Sequence, residues 1–401
     1  MDKTLAIHGG TPVRATPMPA RLAIGPDERR MIDEALDSCA ARGVDPGYQE
    51  GYEKRYTDAF AAMLGGGHAD AVATGTVAIY VALMALNLPK GAEVICSPIT
   101  DPGTLSAIVL AGLVPRLADA EPGSYNMGPE QFAARVTPAV KGVVVVHCAG
   151  RAAEIDRIVA IAAEHGIKVV EDCSQAHMAR WKGRPVGTFG DIAAFSTMYR
   201  KISISGGSGG VVYTRDLDLY RNALAHADRG KPVWAEGFDW RDPRQFLFPA
   251  LNLHTDELSC AIGIASLERL PDTILRRLAF VAEFSGLLRQ RAKICRPYGY
   301  SPNDSPFITP VFVDPNRITC SKIDFAKALL AEGIPLNPHY QYVAATWPFL
   351  RPYLADGFDC PNAQASVESS FPLYLNEKYG ETEARDCVDA MVKVETYFRR
   401  D

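Results

Sequence analysis

The chain has no C-x-x-C pair. Its nine cysteines, Cys39, Cys96, Cys148, Cys173, Cys260, Cys295, Cys320, Cys360 and Cys387, are odd in number and scattered. That spacing argues against a disulfide framework and against a zinc site, so no metal is expected. No apolar run is long enough to cross a bilayer, and no membrane span is expected. The opening MDKTLAIHGGTPVR lacks the apolar core of a secretory leader. A reducing cytoplasm is the expected compartment. Positive charge is not in excess: 42 Lys and Arg stand against 47 Asp and Glu, for a net charge of -5. Nucleic acid and anionic membrane are therefore not expected partners, and a small anionic ligand would need a local basic pocket. Internal repeats and low-complexity tracts are absent too.

What is present is an ordinary globular composition, 47% apolar and 22% charged over 401 residues. That length suggests two domains. Residues 1–25, rich in Gly and Pro, read as an extended arm. GPDERRMIDEALDSCAARG and EKRYTDAFAAMLGGG read as helices, each stopped by glycine. From about residue 70 strand and helix alternate: ADAVAT, GTVAIYVALMALNL, AEVICSPI, TLSAIVLAGL, LVPRLAD, PEQFAARVT, KGVVVVHCAG, AEIDRIVAIAAEHG and IKVVED, then GDIAAFST and GGVVYT as strands. Unbroken apolar runs such as VVVV suit strands covered on both faces. Residues 26–250 are thus expected to form a doubly wound α/β domain with a mostly parallel sheet. Residues 251–401 are expected to form a smaller α+β domain, with a long helical region interrupted at Pro271.

Ligands of open α/β sheets gather beyond the carboxyl ends of the strands. Three stretches there carry polar residues. In VATGTVAIY a strand ends at Thr74-Gly75-Thr76 and a helix begins. The free N–H groups of such a start favour phosphate, and Gly75 permits close approach. In VVEDCSQAH, Asp172 ends a buried strand, with Gln175 and His177 just behind. In FSTMYRKISISGGSGG, Ser196 closes a strand, Lys201 follows five residues later beside Arg200, and a glycine-rich loop comes next. Each alone has a plain reading: a capped turn, an N-cap acid, a surface lysine. Together, a phosphate cradle, an acid for a ring nitrogen and an amine are what pyridoxal phosphate requires. The lysine forms the Schiff base, the acid keeps the pyridine nitrogen protonated, and the released lysine is the natural proton carrier.

The motifs LAIHGGTPVR, TGTVAIYVAL, VICSPIT, HCAGRAAEIDRI, VVEDCSQAHMA, FSTMYRKISISGGSGGVV, NLHTDELSCAIG and PHYQ, in this order, resemble the fold type I sugar aminotransferases of the DegT/StrS family over nearly the whole chain. The resemblance implies that Lys201 is the Schiff-base lysine, that Asp172 pairs with the pyridine nitrogen and that Gln175 lies at the ring hydroxyl. It places Gly75, Thr76 and Ser196 on the phosphate. It implies that Asn252 reaches the phosphate of a partner subunit, hence a homodimer with shared active sites. It sets His339 and Tyr340 near the substrate.

The chain departs from the family at four points. Asp101 stands where a ring usually stacks on the cofactor, and His254 where arginine is common; both are candidate substrate residues. Tyr199-Arg200 replaces the commoner Pro-Thr, and Met178 stands where glycine is common and is expected to narrow the pocket. The implied activity is transfer of an amino group, from L-glutamate, to a keto or aldehyde carbon of a sugar, in synthesis of an amino sugar for a surface polysaccharide or secondary metabolite. A nucleotide-linked keto-sugar is the first choice of acceptor. A cyclitol ketone and a free sugar acid such as an octulosonate are alternatives. The intact Lys201 weighs against the dehydratase branch, which carries histidine there. The Lys201, Asp172 and Ser196 set weighs against a non-catalytic, regulatory cofactor-binding protein.

Overall fold

The computed structural model describes residues 4–340 and 342–400. The first three residues of the arm and the glutamine that ends PHYQ fall outside them.

Helices α1 (Pro26–Arg42) and α2 (Gly51–Met63) lead into the sheet. α1 starts on Pro26, with the Gly25 N–H donating to Glu28 at 2.8 Å. The alternation then runs β1 (His68–Val72), α3 (Gly75–Ala85), β2 (Glu93–Cys96), α4 (Pro102–Leu110), β3 (Val114–Leu117), α5 (Pro129–Ala133), β4 (Val140–Val146), α6 (Ile155–Glu164) and β5 (Lys168–Asp172). A two-residue hairpin, β6 (Arg180–Trp181) and β7 (Arg184–Pro185), precedes β8 (Ile192–Ser196), β9 (Gly210–Thr214) and α7 (Leu217–Ala227). The seven-stranded sheet has the order β1-β9-β8-β5-β4-β2-β3. Only β9 runs against its neighbours, pairing antiparallel with β1 and β8. β1, β2, β4, β5 and β8 therefore end at one edge, where the polar residues singled out above converge. α3 is apolar almost throughout and lies buried on the sheet, as its composition requires.

The second half builds around α8 (Glu257–Arg291). It adds the three-stranded sheet β10 (Cys295–Pro297), β11 (Ile308–Val313) and β12 (Ser370–Tyr374), with α9 (Lys322–Ala331), α10 (Pro361–Glu368) and α11 (Glu381–Phe398). The expected break at Pro271 does not occur: α8 runs unbroken through it for 35 residues. Pro271 cannot donate to the Leu267 carbonyl, a local cost of about 3 kcal/mol. Packing on both sides outweighs it. Cys260, Ile264 and Leu270 share a core with Tyr56, Phe60 and Phe195. Phe280, Phe284 and Leu288 share another with Val311, Phe371 and Met391. All nine cysteines are free thiols, eight of them buried. Among the described residues no helix is long and apolar enough to cross a membrane.

Candidate active site

At the strand-end edge lies a cavity of about 220 Å³, lined among others by Thr74, Gly75, Thr76, Asp172, Gln175, Ser196 and Lys201. Thr74 caps α3, accepting from the Val77 N–H at 3.0 Å. The Gly75 and Thr76 N–H groups have no acceptor within the helix and point their dipole at the cavity. Gly75 packs directly on Ser196: a Cβ there would collide with the serine's Cβ. Alanine at residue 75 would thus close the approach through which an anion reaches these amides.

Asp172 ends β5 and is 3% exposed. Its Oδ2 accepts from Thr104 Oγ1 at 3.1 Å and its Oδ1 from the Ser174 N–H at 3.0 Å. Thr104 in turn bonds Thr100 at 2.8 Å. The carboxylate is thereby held by two donors from different elements. Glu171 points the other way, accepting from the Gly187, Phe189 and Gly190 N–H groups and contacting His147 at 3.0 Å. Its buried neighbourhood with Cys173 is a brace for the loop before β8. Gln175 accepts from the Ala149 N–H at 2.7 Å, which leaves its amide NH₂ toward the cavity.

Lys201 is half-buried, five residues beyond the end of β8. Its N–H donates to the Met198 carbonyl at 2.8 Å, and its Nζ lies 4.6 Å from the centre of the Phe307 ring. Burial pushes the amine below its ordinary pKa, while the charges of Asp172 and Asp101 pull it up. The chain returns to β9 through a loop in which Gly206 takes φ 105°, a conformation that glycine alone adopts at no cost.

A second cavity of about 840 Å³ adjoins the first, and Asp101, Gln175, Met198 and Lys201 line both. Asp101 is exposed and caps α4, accepting from the Gly103 N–H at 2.9 Å. Six aromatic rings line the larger cavity: Tyr199, Phe307, Tyr340, Tyr342, Tyr374 and Tyr379. Tyr340 is 8% exposed and stacks on Tyr125 at 5.9 Å.

Not every candidate residue meets here. His339 is exposed and lines neither cavity. Asn252 is exposed, bridges to Asp228 and lines neither cavity. His254 sits 3.0 Å from Asp228 and stacks on Tyr48 at 4.6 Å. Met178 does not narrow either cavity. It takes φ 63°, a left-handed conformation, which accounts physically for glycine at such a position. Thr100, Thr104, Ser174, Met198 and Phe307 were not singled out from sequence. The pair of threonines one turn apart in ITDPGT was the available signal.

The donors present fit pyridoxal phosphate: a helix start opened by glycine and flanked by Ser196 for the phosphate, a buried carboxylate for a cationic ring nitrogen, and one amine of lowered basicity between them. Fold and site define a pyridoxal-phosphate enzyme of fold type I. Residues 28–392 match the profile of the DegT/DnrJ/EryC1/StrS aminotransferase family, and the chain belongs to that family. It is 31% identical over 377 residues to a putative L-glutamine:3-amino-2,3-dideoxy-scyllo-inosose aminotransferase of Streptoalloteichus tenebrarius, covering 89% of this chain and 87% of that one. It is 29% identical over 381 residues to the Bacillus subtilis spore coat polysaccharide biosynthesis protein SpsC, covering 92% and 94%. The solved aminotransferase from Psychrobacter cryohalolentis superposes with a TM-score of 0.85 at 28% identity, covering 94% and 98%. The protein is therefore a pyridoxal-phosphate-dependent aminotransferase.

Proposed function

We propose that Lys201 carries the cofactor and moves the proton, and that the acceptor is the keto carbon of a polyhydroxylated ring. The observation that carries this reading is the position of Lys201 at the junction of the two cavities, with Asp172 in the smaller one and Asp101, like the lysine, lining both. When bound, the cofactor supplies an electron sink for the bond broken at the donor's α-carbon. Asp172, oriented by Thr104 and Ser174, holds the proton on the ring nitrogen. Gly75, Thr76 and Ser196 would hold the cofactor's phosphate, and Gln175 would bind its ring hydroxyl. The lowered basicity of Lys201 keeps a share of its amine free to accept a proton and return it. Asp101 and Tyr340 meet the substrate.

The larger cavity presents six aromatic rings, and two of its arginines, Arg21 and Arg277, are paired with one carboxylate, Glu377. That lining suits a cyclitol ketone or an unphosphorylated keto-sugar, the acceptor class in the name of the Streptoalloteichus relative. A nucleotide-linked keto-sugar is the second reading, supported by likeness to a GDP-perosamine synthase of Escherichia coli, 31% identical over 252 residues. Half-reactions separate them. L-Glutamate or L-glutamine is expected to discharge the visible band of the loaded protein. A keto-cyclitol is then expected to restore it. Restoration by nucleotide-linked sugars alone would overturn the first acceptor; no discharge by any amino donor would overturn donor use.

We further infer a cytoplasmic homodimer with shared sites. Eight buried free thiols suit a reducing compartment. Asn252 is exposed and lines neither cavity of its own chain, so it is available to a second copy. Mixing inactive Lys201→Ala and Asn252→Ala subunits is expected to restore up to about a quarter of parental activity, since mixed dimers hold one intact site. Absence of any recovery would argue for unshared sites.

A further inference from the structure

Arg21 belongs to the N-terminal arm, yet its guanidinium reaches the loop that bears Lys201. Nη1 donates to the Tyr199 carbonyl at 3.1 Å and Nη2 to the Ile202 carbonyl at 2.9 Å, so the two bonds straddle the lysine. Nε donates to Glu377 at 3.0 Å. The other oxygen of Glu377 takes Arg277, from Nη2 at 2.9 Å and Nε at 3.2 Å. Arg277, 1% exposed on α8, donates its Nη1 to the Pro306 carbonyl at 3.2 Å. Residue 307, next in the chain, is the phenylalanine whose ring lies under the Lys201 amine. One carboxylate thus links two guanidiniums, one on carbonyls either side of the lysine and the other on the segment beneath its tip.

The charges account for the arrangement. Two cations share one anion in a poorly solvated place, and the surplus is spread over three backbone carbonyls. Burial alone would raise Glu377, but Arg277 and Arg21 hold it below the usual carboxylate range. The arm itself is held in place for this contact. Arg269, paired with Glu28, donates to the Ala23 carbonyl at 3.1 Å. Between these anchors Leu22 takes φ 46° with its side chain 76% exposed. A leucine in that conformation costs about 1–2 kcal/mol, a strain accepted where the two guanidinium contacts fix the backbone on either side.

We propose that Arg21 is a positioning residue for Lys201, acting through the Arg21–Glu377–Arg277 bridge to fix both the loop and the floor of the reactive amine. This rests on the assignment of Lys201 as proton carrier. A lysine has four flexible torsions, and a displacement of about 1 Å in a catalytic group costs on the order of 10²-fold. Nothing in the arm's sequence signals this, because the partners are 356 residues apart.

The test uses the cofactor-loaded protein with Arg21→Ala and, in case that variant folds poorly, Arg21→Lys, which keeps the charge but loses the planar fork. For Arg21→Ala we expect kcat to fall roughly 10–100-fold with donor KM within about threefold. The isotope effect from deuterium at the donor's α-carbon should rise, since proton movement becomes limiting. The pH midpoint of the resting visible band should move by more than about half a unit. Arg21→Lys should show the same changes in smaller measure. A folded variant whose isotope effect and midpoint match the parent, whatever its thermal stability, would overturn the proposal. If the parent reacts with no amino donor, the reading of donor use fails, and the resting midpoint still decides the role of Arg21.

Discussion

Lys201→Ala is expected to abolish turnover, by about 10⁴-fold or more, because one side chain serves as both attachment point and proton carrier. The physical basis is its place: half-buried over Phe307, lining both cavities, with its basicity lowered by burial. The variant should still bind the cofactor, since the start of α3, Ser196 and Asp172 are untouched. Borohydride should fix the cofactor to Lys201 in the parent and to nothing in the variant. Mass spectrometry of the reduced, digested protein checks this. Cofactor found on another lysine, or a variant with parental kcat, would refute the assignment.

Asp172→Asn is expected to lower kcat on the order of 10²–10³-fold while leaving the fold intact. An amide keeps the shape but removes the negative charge that holds a proton on the ring nitrogen. Its single oxygen can still accept from the Ser174 N–H, and its NH₂ can donate to the Thr104 hydroxyl, so the side chain keeps the partners that orient the native carboxylate. The loss should therefore appear in kcat with little change in melting temperature. Single-turnover rates of donor half-reaction check it, and a rate within threefold of the parent would remove Asp172 from the chemistry.

Much of the fold is legible in the sequence. The buried strand VVVV and the all-apolar helix after Gly75 read correctly because their environments are uniform: covered strands and covered helices need no polar face. The places of Asp172, Ser196 and Thr76, at two strand ends and a helix start, are legible because local pattern locates such ends. Local pattern fails where two distant segments decide the outcome. Pro271 reads as a break, but cores on both sides carry α8 through it. Thr104 matters only through Asp172, 68 residues on. Arg21 matters only through Glu377 and the carbonyls beside Lys201. Asn252 and His254 carry a clear sequence pattern but line neither of this chain's cavities.

α8 has a mechanical consequence. One rod is built into both cores, and it carries Arg277 on the stretch beyond Pro271. The wall of the larger cavity formed by Tyr374, Leu375 and Arg277 therefore cannot slide past Lys201 as a free flap. Widening the cleft on the Arg277 side has to turn or flex that rod, and Pro271, where one rung of the ladder is missing, is the point of least resistance. The cleft is thus a jaw with one stiff side: a substrate pressing on Arg277 meets the bending stiffness of a helix, and one pressing on the arm meets softer chain.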